Sequence, residues 1–112
     1  MEVSLAGIAI PGASETERSQ TQSYSERARS FLVGLVLNRV VEIKGHGLDR
    51  FDRVLGVLYL NGRNINLEMV RAGMAEAYRG TPPLGLDLGP YRRVEEEARK
   101  EERGMWALGE KR

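Results

Sequence analysis

The sequence predicts one α+β domain, and three observations support this prediction. Apolar residues alternate with small residues over residues 3–10 and run almost continuously over residues 54–60, as they do in strands. Residues 25–38 and 91–103 instead repeat apolar positions every three or four residues, which is typical of helices that pack on a core. The chain has 112 residues, the usual length of one compact domain, so we predict a single domain over residues 1–112.

The composition excludes several classes of protein. Hydrophobic residues make up 41% and charged residues 29% of the chain, which is a globular balance rather than a disordered one. The formal net charge is +1, so any basic surface for nucleic acid must be local. The absence of cysteine excludes disulfides, thiolate zinc sites and cysteine nucleophiles. No apolar run reaches the roughly 18 residues of a membrane span, so we expect no membrane partner, while the compartment stays open.

The first part of the chain predicts a strand, a loop and a helix. The strand covers residues 3–10, where large apolar and small residues alternate until a Pro-Gly pair ends the pattern. Residues 13–24 are rich in Ser, Thr, Gln and Glu and lack apolar periodicity, which predicts a surface loop. Ser25 can cap the helix that follows, and this helix should end near Asn38.

The middle of the chain predicts two strands and a tight turn. Residues 40–44 and 54–60 read as strands, separated by a polar connector with two glycines at residues 45–52. Asn61 and Gly62 follow the second strand directly. Because both central residues of a type I′ turn need positive φ, this pair predicts a hairpin.

A short helix is predicted after the hairpin. Asn64 or Asn66 can cap it, and it should continue through Ala72 until Gly73 terminates it in a left-handed conformation. Residues 74–78 then return as a short extended segment.

The last third of the chain predicts a long connector and a closing helix. Residues 80–90 contain three prolines and three glycines and should form no regular structure. Residues 91–103 form the charge-rich helix, which Gly104 stops before Trp106. Trp106 should anchor this helix to the core.

Four stretches of the chain carry recognisable local motifs. They are Val-Ser-Leu-Ala-Gly-Ile-Ala-Ile-Pro-Gly at residues 3–12, Asp-Arg-Phe-Asp-Arg-Val-Leu-Gly at 49–56, Tyr-Leu-Asn-Gly through Asn-Leu-Glu-Met-Val-Arg-Ala-Gly-Met-Ala at 59–75, and Tyr-Arg-Arg-Val-Glu-Glu-Glu-Ala-Arg with Arg-Gly-Met-Trp at 91–106. In order and content they resemble the staphylococcal nuclease family from its third barrel strand onward. The resemblance implies an oligonucleotide-binding-type (OB-fold) β-barrel with three α-helices, incomplete because the first strands are missing.

The resemblance also implies a set of catalytic positions. In that family carboxylates hold a calcium ion, a glutamate positions the attacking water, and two arginines bind the phosphate. Position by position, the first arginine falls on Ser4, the calcium-binding aspartate on Ala9 and the water-activating glutamate on Gly12. The second arginine is retained as Arg53, although Asp52 replaces a usual glycine beside it and should partly neutralise it.

These replacements predict a degenerate active site. Losing one charged transition-state contact commonly costs on the order of 10²-fold in rate. We therefore expect no metal site and no cofactor, although calcium is the family's ion, and a non-catalytic module that binds nucleic acid or protein. The alternative is a divergent metal-dependent nuclease acting on DNA or RNA phosphodiester bonds. In that case Glu15 or Glu17 would serve as the base, with Asp49 or Asp52 helping a metal ion.

Three residues are candidates for nucleic-acid binding. Tyr78 and Arg79 occupy positions where the family stacks a base beside a phosphate contact, and with Arg53 they suit a single strand. The plainer interpretations are that Tyr78 is a packing residue and that Arg53 is an arginine at the barrel mouth paired with Asp49 or Asp52.

The remaining polar residues receive structural interpretations. His46 is the only histidine, so it lacks partners for a metal site. Basic and acidic residues interleave over residues 92–103, which favours a solvated helix face over a nucleic-acid footprint. Asn66 should be a helix cap or a buried amide.

An incomplete barrel leaves sheet edges open. Unpaired strand edges invite pairing with another chain. We therefore expect a homo-oligomer, or a chain that is part of a larger multi-domain protein.

Overall fold

The computed structural model of the chain describes residues 2–10 and 18–107, and for residues 18–24 it describes the backbone only. The positions of Gly12, Glu15 and Glu17 therefore lie outside the described residues. The described elements are, in chain order, β1 (Val3–Leu5), β2 (Ile8–Ala9), α1 (Arg18–Val36), β3 (Glu42–Leu48), β4 (Val54–Leu60), β5 (Arg63–Asn64), α2 (Ile65–Arg71), β6 (Glu76–Ala77), α3 (Gly89–Lys100) and a 3₁₀ helix, Gly104–Ala107. The predicted α+β class with three α-helices is confirmed.

Two small sheets carry the strands. In the larger sheet β4 lies in the centre, with β1 parallel to it on one side and β3 antiparallel on the other, and β5 returns along β4 as a hairpin. β2 and β6 form a separate antiparallel pair. The strands of residues 2–10 and 18–107 do not close into a barrel, and none of the described helices is long and apolar enough to span a membrane.

The segment predicted as one strand over residues 3–10 is divided between the two sheets. Gly7 has φ of 84°, and a β-carbon at this position would lie 3.2 Å from the ring of Tyr91. This left-handed, closely packed glycine turns the chain out of the larger sheet and into the smaller one. The alternation of apolar residues continues across the turn, which is why the sequence predicted one strand.

The prediction of a loop up to residue 24 is wrong from Arg18 onward, where α1 begins. Residues 18–24 contain neither glycine nor proline, so no residue there opposes a helix. The predicted end near Asn38 is confirmed. The helix stops at Val36, and Asn38 adopts φ of 61°.

The prediction of a polar connector over residues 45–52 is wrong for residues 45–48, because β3 extends to Leu48. Its two glycines do not break the strand. Gly45 lies opposite Gly56 in the ladder, and Gly47, with φ of 104°, belongs to an irregularity between Gly45 and Leu48. Glycines in such a place mark a bulge rather than a loop. The connector between the strands is therefore only residues 49–53.

The hairpin and the helix after it match the sequence prediction. β4 has the predicted bounds, and Asn61 and Gly62 have φ of 53° and 83°. Asn64 is the residue that caps α2, since its side-chain oxygen accepts a hydrogen bond from the Leu67 amide at 2.9 Å. Gly73 has φ of 78° after the helix, as predicted.

The closing helix begins and ends earlier than predicted. α3 covers Gly89–Lys100 rather than residues 91–103, because Asp87 accepts a hydrogen bond from the Gly89 amide and Pro90 fits the first turn. Trp106 is only half-buried, and the guanidinium of Arg99 lies 4.5 Å from its ring centroid. This contact connects the end of the helix to the tryptophan, but Trp106 is not among the described residues of the hydrophobic core, to which the sequence predicted that it would anchor the helix.

The hydrophobic core lies between α2, α3 and the smaller sheet. Its buried members include Met69 and Val70 of α2, Ala77 of β6, and Tyr91 and Val94 of α3. Burying a side chain of this size contributes roughly 1.5–3 kcal/mol. The core therefore holds the smaller sheet firmly, whereas β3 of the larger sheet stays exposed over almost its whole length.

One buried amide joins these layers. Asn66 is fully buried at the start of α2, and its side-chain nitrogen donates to the carbonyls of Ala6 at 2.8 Å and Gly56 at 3.1 Å. Its oxygen accepts from the Leu58 amide at 3.2 Å. The side chain thus connects α2 to β4 and to the turn between β1 and β2. The prediction of a buried amide at this position is confirmed.

Replacing this amide should destabilise the protein strongly. In Asn66→Ala the Ala6 carbonyl and the Leu58 amide lose this partner, while the Gly56 carbonyl keeps its hydrogen bond from the Ala6 amide; the free energy of unfolding should fall by about 2 kcal/mol or more. Urea denaturation measures this difference. Asn61→Gly, which removes an exposed asparagine from a positive-φ turn, is the control and should stay within about 0.5 kcal/mol of the original. Equal effects of the two substitutions would contradict the role given to Asn66.

Candidate nucleic-acid interface

The connector between β3 and β4 is a closely hydrogen-bonded loop. The Asp49 carboxylate accepts hydrogen bonds from the Phe51 amide at 2.8 Å and the Arg53 amide at 2.9 Å. The Asp49 amide in turn donates to the Arg53 carbonyl at 2.8 Å. An aspartate that binds the backbone of its own turn fixes the turn's shape. The side chains of this loop are therefore presented in a defined arrangement.

The same carboxylate orients Arg53. The Nε of Arg53 donates to Asp49 at 2.8 Å, while no described residue accepts a hydrogen bond from its two terminal nitrogens. The partner is thus Asp49 and not Asp52, whose backbone has φ of 62°, a conformation that suits the glycine usual at this position. Because 40% of the Arg53 side chain is exposed, its outer nitrogens can meet a ligand from solvent.

The hydrogen bonds at this loop also set the charge of Asp49. Burial opposes ionisation, but the amides of Arg53 and Phe51 and the guanidinium of Arg53 outweigh it, so the pKa of Asp49 lies below its ordinary value of 3.8. The carboxylate therefore stays charged at all ordinary pH values.

Phe51 projects from the loop into solvent. Its exposure is 67%, and the guanidinium carbons of Arg53 and Arg50 lie 5.2 Å and 5.5 Å from its ring centroid. An exposed aromatic ring accompanied by two cations is what a stacked nucleobase and its phosphates require. Phe51 was not predicted as a site residue from the sequence. The available signal was an aromatic residue between two arginines within a recognised motif.

The loop forms one wall of a cleft of about 780 Å³. The opposite wall comes from β1, the turn after it, and the segment that follows β6. The residues that line the cleft are Ser4, Leu5, Ala6, Gly7, Ile8, Asp49, Arg50, Phe51, Arg53, Leu55, Tyr78, Thr81 and Pro83. The structure thus brings three of the predicted site residues together, namely Ser4, Arg53 and Tyr78.

Tyr78 is held at the edge of this cleft and remains 40% exposed. Its amide donates to the Gly7 carbonyl at 2.9 Å, and its ring lies over Gly80, where a β-carbon would come within 2.6 Å of the tyrosine hydroxyl. The backbone of Tyr78 is therefore fixed while part of its side chain stays exposed, which suits stacking.

Arg79 has a different position. It does not line the cleft, and its two terminal nitrogens donate to the carboxylate of Glu95 at 3.2 Å and 3.1 Å. Glu95 is almost fully buried on α3 and also accepts from the Ala77 amide. Removing either partner of such a pair leaves the other without its contact, so this pair connects β6 to α3. Its geometry fits a structural contact better than a phosphate contact.

Comparison with known proteins identifies the family. The family model described as "Staphylococcal nuclease homologue" matches residues 2–108. The chain belongs to the staphylococcal nuclease homologue family. The resemblance drawn from the motifs of the sequence is thereby confirmed.

Several curated relatives of this nuclease-family chain are named as endonucleases. It is 33% identical over 115 residues to "Probable endonuclease LCL3" of Clavispora lusitaniae, a match that covers 97% of the chain and 49% of the relative. It is 33% identical over 109 residues to an "Uncharacterized endonuclease" of Haemophilus influenzae, covering 96% and 54%. A "Probable endonuclease LCL3" of Phaeosphaeria nodorum is 30% identical over 113 residues, covering 96% and 38%. The chain spans about half the length of these relatives, or less.

The positions at which the family's chemistry was expected offer few ligands in this nuclease-family domain. Ser4 presents a hydroxyl to the cleft, Ala9 is exposed on β2 and does not line it, and Gly12 lies outside the described residues. Over residues 2–10 and 18–107, no group of three or more acidic or histidine side chains is placed to hold a metal ion. Calcium takes about six to eight oxygen ligands. The side chains of the described residues do not provide such a set of ligands for a calcium ion.

The lowered pKa of Asp49 predicts an acid-dependent contribution to stability. In the folded chain this carboxyl releases its proton more readily than in the unfolded chain, so it stabilises the fold above about pH 4 and loses that effect as pH falls through the folded pKa. The free energy of unfolding of the original chain should therefore exceed that of Asp49→Asn at neutral pH, and this difference should disappear as the pH falls. Urea denaturation at a series of pH values measures it.

Asp52→Asn is the matched control for this experiment. Asp52 belongs to the same loop but does not pair with Arg53. The difference in unfolding free energy between the original chain and Asp52→Asn should be smaller at neutral pH than the difference for Asp49→Asn. A gap for Asp49→Asn that widened in acid would contradict the assigned cause of the shift.

Proposed function

We propose that this domain binds single-stranded nucleic acid in the cleft between residues 49–53 and 78–83 and does not hydrolyse it by the family's usual calcium-dependent route. The observation that carries the proposal is the combination found in this cleft. An exposed aromatic ring and outward-facing arginines line it, while a serine and an alanine stand where the phosphate clamp and the metal ligand were expected.

Binding follows from the chemistry of the cleft wall. The terminal nitrogens of Arg53 match phosphate oxygens, and its Nε bond to Asp49 holds the guanidinium in place before a ligand arrives. The rings of Phe51 and Tyr78 offer stacking surfaces that every base can use. Stacking requires bases that are not paired with a second strand. We therefore infer a preference for single strands over duplexes.

The inferred loss of hydrolysis rests on missing functional groups. Neither Ser4 nor Ala9 carries a side chain that could replace a guanidinium or a carboxylate. Removing one charged transition-state contact costs on the order of 10²-fold, and here two such contacts are affected. What remains in the cleft suits binding of phosphodiesters better than their cleavage.

A divergent nuclease is the second candidate function. The names of the relatives favour it, since several are called endonucleases. A base supplied by Glu15 or Glu17, with Asp49 or Asp52 helping a metal ion, would be needed. Asp49 is already bound to Arg53 and to two amides, which leaves it few free oxygen positions.

We also propose that the chain self-associates. In the described part of the chain β3 is hydrogen-bonded on one side only, and an exposed strand edge of this kind invites pairing.

Truncating the exposed phenylalanine should weaken binding. Loss of one stacked base costs about 1–3 kcal/mol, so Phe51→Ala should raise the dissociation constant for a fluorescent single-stranded oligonucleotide roughly 5- to 150-fold. Fluorescence anisotropy measures it. Leu84→Ala is the control, because Leu84 is 94% exposed, apolar and outside the cleft. A similar effect of both substitutions, or none from Phe51→Ala, would remove Phe51 from the interface.

Calcium distinguishes the two candidate functions. For a binding module without the metal site, millimolar calcium should leave the melting temperature unchanged and a labelled DNA or RNA strand uncut over hours. A rise in melting temperature together with cleavage would establish the divergent nuclease instead. A preparation of the family's active calcium-dependent enzyme, run beside it, shows that the assay detects cleavage.

A further inference from the structure

Strand β3 presents an open edge that nothing in the described chain covers. It hydrogen-bonds to β4 on one side only, and all but one of its seven residues are exposed. Its pairing with β4 is regular from Glu42 to Gly45 and becomes irregular between Gly45 and Leu48. The regular part is therefore a short stretch of straight strand with free backbone groups along its outer side.

The side chains beside this edge make one face of the sheet apolar. Ile43 is 41% exposed, and it shares a face with Val3, because both side chains approach the α-carbon of Gly56 from the same side. Apolar residues in the last turn of α1 and between α1 and β3 are also exposed. They are Val33 at 42%, Leu37 at 62% and Val40 at 91%.

The charges of Glu42 and Lys44 in β3 favour a second copy of this chain as the partner of the strand. A second copy can add to β3 by antiparallel pairing around a two-fold axis that passes through one residue of the regular stretch. An axis at Glu42 would put Glu42 opposite itself, and an axis at Lys44 would put Lys44 opposite itself. An axis at Ile43 puts each Glu42 opposite the Lys44 of the other copy, twice in one interface. Opposite charges in directly facing positions stabilise a sheet, and like charges destabilise it.

We propose that two copies of this chain pair through β3, antiparallel, with the two-fold axis at Ile43. The two isoleucines then face each other on the apolar side of the sheet, and two Glu42–Lys44 pairs flank them on the other side. The result is one sheet that runs continuously through both copies. This inference rests on the proposed self-association and names its surface.

The nucleic-acid cleft stays accessible in such a dimer. Ser4 and Leu55 pair with each other and line the cleft. Leu55 and Leu58 lie at positions of opposite parity in β4, and Leu58 is the partner of Ile43, so this part of the cleft and Ile43 lie on opposite faces of the sheet. None of the residues from Glu42 to Gly45 lines the cleft, so we expect each copy of the dimer to bind an oligonucleotide as the monomer does.

Charge reversal and its compensation test this interface. Glu42→Lys places two lysines opposite each other at both contact points, and Lys44→Glu does the same with glutamates. Each single variant should raise the dimer dissociation constant roughly tenfold or more in sedimentation equilibrium, and the double variant, Glu42→Lys with Lys44→Glu, should restore it to within about threefold. Arg92→Glu, an exposed charge reversal on α3, is the control and should have no effect. Circular dichroism melting verifies that every variant folds.

The outcomes separate this inference from the other proposals. A chain that stays monomeric at about 100 μM contradicts self-association and the β3 interface together. If a dimer forms but neither single charge reversal changes its dissociation constant, the chain self-associates through a surface other than β3. A double variant as weak as the single ones also overturns it. Oligonucleotide binding, measured on the same samples, should be unchanged in all variants.

Discussion

The buried amide of Asn66 is the contact on which the arrangement of the cleft depends. It binds the Ala6 carbonyl on one side and the Gly56 carbonyl and Leu58 amide on the other. The first of these belongs to the turn that leads to Gly7, whose carbonyl holds the amide of Tyr78. The others belong to β4, which begins directly after the loop of residues 49–53. One side chain on α2 thus fixes the distance between the two walls.

Asp49 has two roles, because its carboxylate binds both the backbone of the loop and the side chain of Arg53. The carboxylate that shapes the loop also neutralises one side of Arg53, so the loop gains order and loses part of its positive field. The terminal nitrogens of Arg53 and the side chain of Arg50 still face the cleft. For a chain with a formal net charge of only +1, a local pair of arginines is a means of attracting phosphate that does not need a basic surface overall.

Local chemistry made much of the fold predictable, whereas the division of the first strand depends on a tertiary contact. Positive φ at Asn61 and Gly62 and the cap at Asn64 follow from the residues themselves, so these elements were predicted correctly. Gly7 divides a strand because Tyr91, far away in sequence, packs against it. No local pattern contains that information.

The candidate site, too, could be predicted only in part from the sequence. The motif identified Arg53 and Tyr78, and both line the cleft. Arg79 looked equivalent in sequence, but its partner is Glu95, which only the folded chain brings near. Phe51 was not predicted as a site residue, and its exposure becomes evident only in three dimensions.

Nuclear magnetic resonance mapping of a bound oligonucleotide tests the central claim most directly. A single-stranded oligonucleotide is titrated, in the presence of calcium, into the isotope-labelled chain, and the strand is analysed by electrophoresis afterwards. We expect amide shifts to concentrate in residues 49–53 and 78–83 and the strand to remain intact. Shifts confined to the charged face of α3, no shifts at all, or a cleaved strand would contradict it.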